Sequence, residues 1–193
     1  MNGVVSGQVD WSGPGDRPSG PYPMGLMGVL ATVAMLFAAF TAAILVRRTG
    51  TDWTRVVLPT IVWMNTGLLV ASSVALERAR AQLRRGASDH VWWLGTAGVL
   101  GGLFLAGQVV AWRTLAAQGV FLPSSPHASF FYMLSAVHGL HVLGGLGALI
   151  YTLRRALTGV YTTTNYDGLT HAAIFWHFVG AVWIYLLVLL STL

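Results

Sequence analysis

Three histidines within long apolar segments are the residues of this sequence best suited to chemistry. His138 and His141 stand three positions apart in the sequence HGLH, so they share one face of a helix. His177 follows Trp176 in a later segment. Imidazole nitrogens bind copper, zinc and haem iron, so one interpretation is a metal or haem site. The other is that each imidazole hydrogen-bonds a neighbouring helix or a lipid headgroup.

The groups that would accompany a metal site are missing. The chain has no cysteine, which excludes thiolate ligands and thiol nucleophiles. We place the acidic residues in the N-terminal tail, in loops or at a helix edge, namely Asp10, Asp16, Asp52, Glu77, Asp89 and Asp167. Metal-bound histidines usually donate a hydrogen bond to a second partner such as a carboxylate. Ion carriers likewise need an acidic or other titratable group within the membrane. We therefore predict structural histidines, no catalytic, cofactor or metal ligand in this chain, and no autonomous ion pump.

Other polar side chains in the apolar segments are expected to join helices. Asn65 and Gln108 are amides that lipid cannot satisfy, so hydrogen bonds between helices are the expected role. We predict that the histidines pair with backbone carbonyls, hydroxyls or Gln108, and not with carboxylates. Small residues recur every four positions, and they predict either close helix contacts or grooves filled by acyl chains: Gly98, Gly102 and Ala106, then Gly144 and Ala148.

Five uncharged apolar segments position these residues. Each is long enough to cross a bilayer as a helix, which takes about 20 residues. Backbone groups in lipid must be bonded within the segment, so the segments are helices. The prediction is an all-α integral membrane protein with five transmembrane helices, at 24–46, 56–76, 91–112, 128–153 and 171–193. We expect the first two helices to form a pair set apart from the other three.

Composition leaves no room for a soluble domain. Of 193 residues, 55% are hydrophobic and 9% charged, and the mean hydropathy is +0.66. An ordinary soluble domain is about 25% charged. Residues 1–23 are rich in Gly, Pro and Ser and are predicted to be a flexible cytoplasmic tail, followed by one transmembrane domain over 24–193.

Arginine placement predicts the orientation. All 11 basic residues are arginines. The tail, the second loop and the fourth loop hold seven of them, at Arg17, Arg78, Arg80, Arg84, Arg85, Arg154 and Arg155. The other side holds Arg47, Arg48, Arg55 and Arg113. By the positive-inside rule, the N-terminus is inside and the C-terminus outside.

Four stretches resemble subunit III of the haem-copper oxidases, chiefly cytochrome c oxidase. The most specific pair is FFYMLSAVHGLHVLGG (Phe130–Gly145) and FWHFVGAVWIYLL (Phe175–Leu187), which are similar to the family patterns around H-G-x-H-V and W-H-F-V-D-x-V-W. PTIVWMNTGLLVASS (Pro59–Ser73) and GQVVAW (Gly107–Trp112) are similar to two further segments, in the same order. The signature residues are therefore His138, His141, Trp176, His177, Trp183, Asn65 and Gln108.

The resemblance implies a function for the assembly and not for the chain alone. Short bacterial members of the family have five spans, hold no haem or copper, bind phospholipids and pack beside the catalytic subunit I and subunit II, which carry the haem and copper. It implies a multi-pass protein of the bacterial inner membrane, in a proton-pumping oxidase that oxidises cytochrome c and reduces oxygen to water. The alternatives are an accessory subunit of a quinol oxidase or of a nitric oxide reductase, and an independent haem-binding membrane protein.

This sequence departs from the family pattern at three acidic positions. Ala34, Ala111 and Gly180 stand where the family usually carries Glu, Glu and Asp. Any role that the family gives to those carboxylates is therefore not transferred to this chain.

Overall fold

Five long helices make up the fold. The computed structural model describes residues 22–159, 161 and 166–192. All five helices of this part of the chain are long and apolar enough to cross a membrane. They are α1 (Tyr22–Arg47), α2 (Thr60–Arg84), α3 (His90–Ala117), α4 (Pro126–Leu157) and α5 (Asp167–Thr192). The predicted tail, residues 1–23, lies outside the described residues except for its last two.

Helix α2 differs most from the predicted segment 56–76. It begins at Thr60, because Pro59 is extended (φ −62°, ψ 147°) and lacks the N–H that a helix interior needs. It then continues to Arg84, eight residues beyond Leu76, where the predicted segment ends. With 25 residues, α2 is about 38 Å long, against about 30 Å for the hydrocarbon core. Its charged end is therefore helix and not loop.

Local sequence signals set the helix ends. Ser125 caps α4, since its side chain accepts a hydrogen bond from the N–H of Ala128, and Pro126 follows at the first helical position. Gly86 and Gly119 follow the ends of α2 and α3 with φ of +72° and +78°. That left-handed conformation is strained for other L-residues and stops a helix sharply.

Packing contradicts the predicted pairing of the first two helices. Helix α2 packs mainly on α3, and also on α5, while α4 packs on α3 and α5. Helix α1 contacts only α4 and α5 among the described helices. The physical reason is the short turn between Arg84 and His90, which makes α2 and α3 an antiparallel hairpin. The charged turn joins two packed helices and does not divide two bundles.

A histidine near the start of α4 fastens three parts of the chain together. His127 is 1% exposed, and its Nδ1 accepts a hydrogen bond from the Val56 N–H at 3.3 Å. Its Nε2 lies 3.1 Å from the Leu190 carbonyl oxygen near the end of α5. An acceptor at Nδ1 and a donor at Nε2 together define the neutral Nε2–H tautomer. The imidazole also forms a T-shaped contact with the Trp53 ring, with centroids 5.3 Å apart.

Candidate functional site

The signature residues fall into a buried group and a partly exposed group. His141 and His177 are partly exposed. The other five are at most 3% exposed: Asn65, Gln108, His138, Trp176 and Trp183. Together they come from α2, α3, α4 and α5. Neither polar atom of the Gln108 side chain has a hydrogen-bond partner among the described residues, so the prediction of an interhelical bond is wrong for this residue.

Aromatic rings surround His138. Its imidazole stacks on Trp183 with centroids 5.0 Å apart, and it forms a T-shaped contact with Phe104 at a centroid distance of 6.0 Å. Neither imidazole nitrogen has a hydrogen-bond partner in the part of the chain that the structure describes, so the predicted pairing with a carbonyl, a hydroxyl or Gln108 is wrong for His138. The Trp183 indole is itself fixed, because its Nε1 donates to Thr66 Oγ1 at 3.0 Å. His138 thus contributes to the core mainly through ring contacts.

His141 lies one turn further along α4. Its Nδ1 is 2.8 Å from the Val137 carbonyl oxygen of the same helix. The predicted backbone-carbonyl partner is therefore present, although the bond lies within α4 and not between helices. In the described residues, no three histidine or carboxylate side chains are placed to hold one metal ion.

His177 has the carboxylate partner that we predicted it would lack. Its Nε2 lies 2.7 Å from Glu77 Oε1. Arg80 Nη1 donates to the same oxygen at 2.7 Å, so the carboxylate bridges a histidine of α5 and an arginine of α2. The prediction is wrong for His177, because Glu77 belongs to the extended end of α2 and not to a loop.

Two glycines allow Trp176 to lie at the centre of the bundle. A Cβ on Gly101 would lie 2.6 Å from Trp176 Cη2, and one on Gly145 would lie 2.9 Å from Cε3. The indole is therefore held between the backbones of α3 and α4. In the same way, a Cβ on Gly107 would overlap the side-chain amide of Asn65. The sequence analysis did not predict these contacts. They require glycine, because any larger residue would prevent the close approach of the packed groups.

The small residues singled out in the sequence mostly face outward. A Cβ on Gly98, Gly102 or Gly144 would meet nothing within 4 Å among the described atoms. These positions therefore do not mediate close contact between the helices of this chain. Position along the helix distinguishes these outward-facing glycines from the glycines that contact Trp176. Gly101 lies on the same face of α3 as the buried residues Phe104 and Gln108.

A groove of about 550 Å³ lies between α2 and α5. Thr66, Val70 and Ile184 contribute to its apolar walls, and Glu77 and His177 stand at its polar end.

Gly180 also lines this groove, at a position where the family pattern has an acid. A Cβ there would approach only Ser73 Oγ, at 3.8 Å. In this chain the carboxylate at the groove comes from α2, as Glu77.

Comparison with known proteins covers almost the whole described chain. Residues 25–192 match the family profile described as cytochrome c oxidase subunit III. Cytochrome c oxidase subunit 3 of Synechocystis sp. is 32% identical, over 86% of this chain and 72% of the relative. The corresponding protein of Thermostichus vulcanus is 31% identical, over 88% of this chain and 86% of the relative.

A relative from a second oxidase class is similar at the same level. Cytochrome bo(3) ubiquinol oxidase subunit 3 of Pseudomonas aeruginosa is 31% identical, over 80% of this chain and 77% of the relative. Since the profile match runs through all five helices, the chain belongs to the cytochrome c oxidase subunit III family.

Proposed function

We propose that this chain is the non-catalytic, lipid-binding accessory subunit of a proton-pumping terminal oxidase, which oxidises cytochrome c and reduces oxygen to water. Subunits I and II of that oxidase are its partners and carry the haem and copper. The observation that carries the proposal is the family match over residues 25–192. The contacts of the histidines support it, since His138 is enclosed by rings and His177 is bonded to Glu77.

The direct test is purification of the tagged chain in mild detergent. We expect subunits I and II to co-purify, and the complex to consume oxygen with reduced cytochrome c. Preparations lacking this chain should keep their haem and copper content. A haem Soret band in the isolated chain, or the loss of a whole metal atom on its removal, would contradict the accessory role.

A substitution within the chain tests the same point. His141→Leu removes a hydrogen bond inside α4, and intramembrane hydrogen bonds average only about 0.6 kcal/mol. We therefore expect slightly reduced stability or assembly and an unchanged metal content per complex. His171→Leu is the matched control, because His171 is a partly exposed histidine of α5 outside the signature set.

Quinol is the second candidate electron donor, because a ubiquinol oxidase subunit is among the relatives at 31% identity. The purified complex decides between the two, since its oxygen consumption with reduced cytochrome c and with ubiquinol can be measured separately. The higher turnover identifies the donor class.

We infer a bacterial inner-membrane location with the N-terminus inside and the C-terminus outside. The arginines at the end of α2 and the end of α4 support this orientation. The chain has no cysteine, so single introduced cysteines report cleanly. We expect Ala87→Cys to be protected from an impermeant thiol reagent in whole cells, and Thr51→Cys to be labelled. Labelling of Ala87→Cys with protection of Thr51→Cys would show the opposite orientation.

A further inference from the structure

The groove between α2 and α5 has the dimensions of an acyl chain. Along α2 it runs from Thr66 to Ala81, which corresponds to about 22 Å of helix. One leaflet of the hydrocarbon core is about 15 Å thick. Leu69, Val74 and Ile184 are among the apolar side chains along its length. The groove therefore extends beyond one leaflet and ends among charged residues.

The charges at that end leave one cation without a counter-ion. Glu77 is neutralised locally by Arg80, whose Nη1 is 2.7 Å from its Oε1. Arg78 also lines the groove, and among the described residues it forms no ion pair or side-chain hydrogen bond. Its guanidinium lies over the Trp93 ring, 4.9 Å from the centroid. This cation–π contact uses none of the guanidinium N–H groups, so they are free to donate hydrogen bonds.

The side chain of Arg78 is long enough to reach a headgroup phosphate. Arg78 stands six positions, about 9 Å, before the end of α2, and this helix is about 8 Å longer than the hydrocarbon core. The Arg78 backbone therefore lies near the edge of the core, and its long side chain extends toward the headgroups. Charged groups at the ends of long helices lie at the headgroup level. A guanidinium binds a phosphate through two parallel N–H bonds. An apolar groove below one unpaired arginine is thus complementary to a molecule with a phosphodiester head and a hydrocarbon tail.

We propose that this groove binds one phospholipid, with its phosphodiester on Arg78 and one acyl chain between α2 and α5. The Glu77–His177 contact holds the two helices together beside the headgroup. Gly180 keeps the path of the chain open, since a side chain at that position would enter the groove. The inference rests on the proposed lipid-binding role and assigns it to a place that our sequence analysis did not predict.

The test uses the purified oxidase complex and two probes that share the same acyl chains. After partial delipidation, the complex is incubated with dioleoyl-phosphatidylglycerol or with dioleoylglycerol, and bound copies are counted by native mass spectrometry. We expect one phosphatidylglycerol at this site in the wild type and no stable dioleoylglycerol. Arg78→Gln should weaken the bound phosphatidylglycerol about tenfold, as expected for the loss of a charge-assisted bond. Arg78→Lys should retain part of the binding.

Matched variants separate the site from general effects. Gly180→Leu should displace the acyl chain, whereas Gly67→Leu, on an exposed face of α2 outside the groove, should not. Arg85→Gln removes a neighbouring exposed arginine that does not line the groove, and it should bind as the wild type does. Equal retention by the wild type, Arg78→Gln and Gly180→Leu would overturn the proposal.

A density map of the wild-type complex provides a second measurement that needs no variant. A forked tubular density with its head beside Arg78 supports the proposal. A quinone ring, a protein helix or an unfilled groove at that place overturns it. The proposed subunit role is tested separately. It is refuted if subunits I and II do not co-purify with this chain, whereas the lipid site is tested by the number of lipids bound per copy of this chain.

Discussion

Replacing Gly101 by alanine should destabilise the bundle, although alanine is the stronger helix former. The new methyl group would lie 2.6 Å from Trp176 Cη2 and 2.8 Å from Cζ2, against about 3.5–4.0 Å for carbon atoms in favourable contact. The indole is 1% exposed and cannot retreat, because Gly145 lies against its other side. Overpacking of this kind costs about 1–3 kcal/mol, and the gain in helix propensity returns up to about 1 kcal/mol.

Gly98→Ala is the matched control for this prediction. It lies one turn earlier in α3, and its methyl group would meet nothing within 4 Å in the described structure. Only the gain in helix propensity applies there, so the two variants should change stability in opposite directions. The assay is the free energy of unfolding in mixed micelles, with dodecyl sulfate as denaturant and tryptophan fluorescence as the signal.

A double-mutant cycle with Trp176→Phe then identifies the clashing partner. The smaller ring leaves space for the methyl group, so Gly101→Ala should cost less in that background, by about 0.5–3 kcal/mol. If Gly101→Ala is as stable as the wild type, or if its cost is the same in both backgrounds, the indole is not confined as described.

Three further predictions use the same unfolding assay, in detergent. Trp183→Phe should cost about 1–3 kcal/mol, because it removes the bond to Thr66 and reduces ring contact; no loss would contradict that bond. Ser125→Ala should cost about 1 kcal/mol by removing the α4 cap, and unchanged stability would contradict the cap. The Arg47 guanidinium lowers the pKa of Asp52 by hydrogen bonding. The stabilisation of the folded state by this ion pair is therefore present above the ordinary aspartate pKa, and it is lost as pH falls through the lower pKa of the folded state. Wild-type stability should therefore fall below about pH 4 more than that of Asp52→Asn, and equal acid sensitivity would refute the pair.

Hydropathy was sufficient to find the five helices, because in lipid an uncharged apolar run of this length has one stable backbone form. It could not find the end of α2. A window of uncharged residues stops at Leu76, whereas the helix continues as long as its backbone bonds are made and its charges reach the headgroups. Because the predicted helix ended too early, Glu77 was assigned to a loop, and its contact with His177 was not predicted. Charged residues directly after an apolar segment should be tested as helix before they are assigned to a loop.

The interior of the bundle was predictable in its residue types and not in its contacts. The spacing of small residues identified Gly98 and Gly102, which face outward, and missed Gly101 and Gly145, which enclose Trp176. Periodicity gives the residues that share a face, but the partner of that face is set by how all the helices pack. Gln108 offered a usable signal, because a buried amide in a membrane helix marks the side that faces other helices.

The clamp made by His127 implies an order of assembly during synthesis. Val56 and His127 emerge from the ribosome before Leu190, so the imidazole has only one of its two backbone partners until α5 has been inserted. The segment before α2 is then secured by the last helix to arrive, and an insertion intermediate that contains α1–α4 keeps this junction open. His127 therefore reports completion of the bundle, and its ring resonances in nascent chains of increasing length would date that event.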